Sequence, residues 1–83
     1  MFANPPLLIV PDGHTQKIVA PLFPDYNVHA WGSPDVKGYS TNLIIVAGSP
    51  YVLGSYAMAE LWDLWYYNLL KPCLLPGGRI IRW

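Results

Sequence analysis

Apolar positions along this chain fall into three patterns. Leu7–Val10 (LLIV) and residues 43–47 (LIIVA) are apolar without a break. Residues 26–31 (YNVHAW) alternate, with Tyr26, Val28 and Ala30 on one side and Asn27, His29 and Trp31 on the other. Residues 55–70 (SYAMAELWDLWYYNLL) form a long stretch free of Gly and Pro and rich in Trp and Tyr. Short, unbroken Ile- and Val-containing runs predict strands buried on both faces. Strict alternation predicts a strand with one face less buried. The long stretch predicts a helix. Wound at about 3.6 residues per turn, it gathers Glu60, Asp63, Tyr67 and Lys71 on one narrow strip. A surface helix normally carries one apolar stripe and a broad polar back. Here the proportions are reversed, which predicts a helix buried on more than one side.

The segments between these patterns carry turn and cap chemistry. Asn4-Pro5-Pro6 is an extended lead-in. Pro11-Asp12-Gly13 is a turn, and residues 14–20 (HTQKIVA) predict a short helix capped by Asp12 or Thr15, with Ile18, Val19 and Leu22 as its apolar face. Pro21 and Pro24-Asp25 close it. Residues 32–41 (GSPDVKGYST) read as a loop, and residues 42–47 as the strongest strand. Gly48-Ser49-Pro50 breaks that strand, Ser55 is placed to cap the long helix, and Pro72 stops it. Pro76-Gly77-Gly78 predicts a turn before a last short strand at residues 79–83 (RIIRW).

The order is β-α-β-β-α-β in a single domain over residues 1–83. Strands alternating with helices predict a minimal Rossmann-like α/β fold. It has three to four short strands, mostly parallel, and one long aromatic helix at 55–70. No helix joins the second and third strands. Either the first strand lies between them and the ten-residue loop runs back along the sheet, or the two form an antiparallel hairpin.

Composition narrows the picture. Apolar residues make up 53% of the 83 and charged residues 12%. The charged share is about half that of an average soluble domain, and a chain this short buries a smaller fraction of its surface than a typical domain. Association with other copies or a partner is the expected outlet. No apolar run approaches the roughly 20 residues of a spanning helix, so a membrane-complex subunit with residues 43–70 facing lipid is a minor alternative. Five dispersed basic residues and zero net charge disfavour nucleic acid as a partner. The amino terminus lacks the basic, long-apolar plan of a signal peptide, which with the lone Cys73 predicts a cytoplasmic protein.

The run YNVHAW, a Gly-containing loop and TNLIIVAGSP together resemble the middle of doubly wound folds such as the P-loop nucleotide hydrolases. The motifs of that family are missing. The first strand is followed by PDGHTQK, where the family has Gly-x-x-x-x-Gly-Lys-Ser/Thr, and the core strand ends in Val46-Ala47-Gly48 without a carboxylate. In size and pattern the chain resembles the small Rossmann-like proteins of unknown function encoded by tailed bacteriophages. That resemblance implies a phage accessory protein and carries over no catalytic residue.

Candidate chemistry is sparse. Open α/β sheets bind ligands beyond the carboxyl ends of their strands. That places Asp12, Gly13, His14, Thr15, Gly48 and Ser49 on a rim suited to a nucleotide or small anion. His14 and His29 lack the spacing of metal ligands, so no metal and no cofactor are expected. Ser49 lacks the Gly-x-Ser-x-Gly frame of a nucleophile elbow, and Cys73 has no evident base, so no catalytic residue is assigned. Trp62, Trp65, Tyr66 and Leu69 are the expected interface, because aromatics at helical spacing suit a protein contact. The expected function is therefore non-enzymatic: self-assembly or binding of a host protein through the aromatic helix.

Overall fold

The computed structural model describes residues 4–47, 60 and 63–82. Four strands form one sheet in the order β2-β1-β3-β4, and every pairing is parallel. They are β1 (Leu7–Val10), β2 (Asn27–Ala30), β3 (Thr41–Val46) and β4 (Leu74–Arg82). Leu7 pairs with Asn27 on one side and with Ile44 on the other, so β1 separates β2 from β3. The parallel alternative for the β2–β3 link is the one realised, and the hairpin is excluded. Residues 31–40 cross back over the sheet, with a 3-10 turn at Pro34–Val36.

From the central pair the chain winds outward in both directions. The helix α1 (Gly13–Val19) and a 3-10 turn at Ala20–Leu22 lead from β1 to β2. The aromatic helix leads into β4. Right-handed crossovers in opposite directions place their helices on opposite faces. The packing agrees. Leu8, Val10 and Val28 face Val19 and Ala20, while Leu7, Ile9, Ile44 and Val46 face Trp65, Leu70 and Cys73. All four β1 residues are buried, as their apolar run predicts.

Three expectations need correction. Of the helix predicted over 55–70, residues 60 and 63–65 are α-helical. Tyr66–Leu70 is a π-helical turn, and a 3-10 turn follows at Lys71–Cys73. Ser55 and the remaining positions lie outside the described residues. Pro72 has no N–H to continue the α-helical ladder, and the Lys71 N–H reaches back to the Tyr66 carbonyl. The helix therefore widens before it ends.

The predicted turn at Pro76-Gly77-Gly78 lies inside β4. Thr41 pairs with Leu74 and Leu43 with Arg79, so β4 spends extra residues in a bulge at this point. Gly77 takes φ +82°, a conformation that Gly adopts without strain. A Cβ on Gly78 would sit 2.7 Å from the Asn42 carbonyl oxygen.

Third, β3 is central but is not covered equally on both sides. Ile44 and Val46 are buried, whereas Leu43 and Ile45 are half-buried. The seven-residue α1 follows β1 toward β2. It does not extend across the half of its face that β3 and β4 provide.

Candidate functional site

The two sites expected from the sequence resolve differently. At the strand-end rim, Asp12 is the N-cap of α1, and its Oδ1 accepts the Thr15 N–H at 2.7 Å. Hydrogen bonds from the Thr15 backbone and side chain hold the Asp12 carboxyl below its usual range. The N–H that an anion would use is thus already bonded to a carboxylate. Gly13 and His14 are exposed in the first turn. Gly48 and Ser49 lie outside the described residues. Among the described residues no group of three His, Cys, Asp or Glu converges to hold a metal.

On the aromatic helix, Trp65 is the principal correction. It is 6% exposed and packs into the sheet core, with its ring centroid 6.1 Å from that of Trp31. Its Nε1 donates to the Ser33 carbonyl at 3.1 Å. The Cys73 thiol, pushed up by burial, donates to Val36 O at 3.0 Å. The second side of the helix is therefore covered by the chain's own residues 31–40. Tyr66 and Leu69 are half-buried against the same core. Trp62 lies outside the described residues.

The strip of Glu60, Asp63, Tyr67 and Lys71 faces outward, each of the four exposed. Leu64, 59% exposed, and Tyr67, 60% exposed, are large apolar groups on this side. The Lys71 ammonium lies 5.4 Å from the centre of the Tyr67 ring. Among the described residues, Leu64 and Tyr67 are the apolar groups that a contact on this side would meet.

A second apolar surface was not anticipated. The face predicted for α1 from Ile18, Val19 and Leu22 divides. Val19 turns toward the sheet, whereas Ile18 and Leu22 are 57% and 68% exposed. The helix ends at Val19 and the chain continues as a 3-10 turn over Ala20–Leu22, so Leu22 does not continue the α-helical face that Ile18 and Val19 begin. Phe23 is still 45% exposed and meets Tyr26 edge-on, with ring centroids 6.0 Å apart.

Beneath these residues lies a cavity of about 290 Å³. Its floor is Leu8 and Val10 of β1 together with Ile45 and Ala47 of β3 and its end. Val19, Phe23 and Tyr26 wall it, and Thr15 completes the lining. Among the described residues, no carboxylate, imidazole, ammonium or guanidinium lines it.

No helix among the described residues is long and apolar enough to cross a membrane. Compared with family models, curated proteins and solved structures, the chain matches none.

Proposed function

We propose that this protein is a small non-enzymatic interaction protein that associates through apolar surface, with further copies of itself as the first class of partner. The supporting observation is the apolar side chains the fold leaves outside. Ile18, Leu22 and Phe23 lie on the α1 side, and Leu64 and Tyr67 on the aromatic-helix side, each at least 45% exposed. Scattered exposed apolar residues are ordinary. Clustering on two helical surfaces in a chain with 12% charged residues and zero net charge favours association. The phage resemblance makes a protein of a bacterial host, met in its cytoplasm, the second class of partner.

Light scattering during gel filtration tests this reading. The expected result is a mass above one chain at micromolar concentration. Leu22→Glu with Phe23→Glu, or Leu64→Glu with Tyr67→Glu, should reduce that mass, and the pair that does so identifies the face. A monomer at all accessible concentrations overturns self-association.

A further inference from the structure

We infer that the cavity between α1 and the sheet is a binding site for a small, uncharged, predominantly apolar molecule. Three observations support this beyond the association proposed above.

The first is position. β1 and β3 are the adjacent central strands from which the chain winds in opposite directions. This is the switch point at which open α/β sheets form their crevices. Val10, the last residue of β1, and Ala47, which follows β3, both line the cavity. In dinucleotide-binding proteins of doubly wound architecture the crevice receives phosphate. Here Asp12 caps the helix with its own carboxylate, and the open volume lies beneath the helix.

The second is size. At about 290 Å³ the cavity is roughly twice an apolar cavity of about 150 Å³ known to hold a single benzene. It lies near the lower end of small-molecule sites, about 300 Å³. Two fused rings or a medium-length alkyl chain are of the right order.

The third is chemistry. Asp12, which caps α1, and Lys17, on α1, are exposed and do not line the cavity. The Gln16 amide, also on α1, donates to the Val28 carbonyl at 2.9 Å. A charged ligand would lose its hydration without a counter-charge. An apolar ligand would instead gain contact with Leu8, Val10, Val19, Phe23 and Ile45.

The test is a titration of methyl-labelled protein with naphthalene, 1-octanol and octanoate, followed by NMR, with molar mass measured on the same samples. Naphthalene or 1-octanol should shift the Leu8, Val10, Val19 and Ile45 methyl signals saturably and leave Leu64 unmoved. Octanoate should need at least tenfold more ligand. Ala47→Leu, which fills the floor, should weaken binding at least tenfold while keeping or raising the melting temperature. Val19→Phe serves the same purpose from the helix side should Ala47→Leu fail to fold. Four outcomes overturn the inference: no saturable shift, equal response at Leu64, octanoate binding as tightly as 1-octanol, or undiminished binding in a folded filled variant. A filled variant that changes molar mass without changing probe binding would also overturn it, by assigning the cavity to a side chain of another copy. Because mass and probe binding are read separately, failure of self-association leaves the ligand result intact.

Discussion

Single residues govern the two ends of the sheet in different ways. Asp12 ties the exit of β1 to α1 through the Thr15 N–H. Its carboxyl is lowered from 3.8 in the fold, so its contribution to stability is present above the unfolded value and is lost as pH falls through the folded one. Asp12→Ala should lower the melting temperature at pH 7, and the gap to the parent should close in acid. Asp12→Asn should keep most of the cap and lose the pH dependence. Thermal melts from pH 7 to pH 2 check both. At the opposite end, the Tyr39 hydroxyl accepts from Asn27 Nδ2 at 2.6 Å and donates to the Pro5 carbonyl at 2.5 Å. That one ring joins the entries of β1 and β2. Gly78 is constrained by space, since a side chain there meets the Asn42 carbonyl oxygen at 2.7 Å. Gly78→Ala should cost about 1 to 3 kcal/mol by overpacking, measurable by urea unfolding.

Among elements, the aromatic helix and residues 31–40 act as one unit. Trp65 to Ser33 and Cys73 to Val36 are the polar links, and Val36 is fully buried between them. Trp65→Asp should therefore unfold the chain rather than merely dissociate it, and Trp65→Ala should cost about 3 to 5 kcal/mol. Cys73 should react with a thiol reagent only as fast as the chain opens, which alkylation with and without denaturant measures. β1 and β3 were legible because unbroken Ile–Val runs have one economical placement, and α1 because Asp12 and Pro21 frame it. The second covering of the aromatic helix was not. Val36 is a lone apolar residue amid Gly, Ser, Pro and Lys, and no local pattern shows that a connector reaches the core. The β4 bulge was read as a turn because Pro76-Gly77-Gly78 has the same chemistry in either setting; only pairing with β3 distinguishes them. The cavity was hidden for a related reason. It depends on where α1 and the 3-10 turn after it lie over the sheet, a tertiary quantity that no local pattern shows.

For the whole molecule, the two faces of the sheet are finished to different degrees. Among the described residues, one is closed by the aromatic helix and the connector, and the other by a short helix, with Ile45 half-buried and Ile81 40% exposed. Because the proposed contacts are apolar, association should persist or strengthen in molar salt, which light scattering at two ionic strengths would show. The bulge in β4 constrains the form such association can take. β4 is the last strand of the sheet, and an outer strand offers a ready template for unlimited strand addition. Pro76 contributes no N–H, and Gly77 at φ +82° bends the strand away from a straight rail. A neighbour arriving along that border finds an interrupted ladder. Strand addition along β4 is therefore discouraged at Pro76 and Gly77.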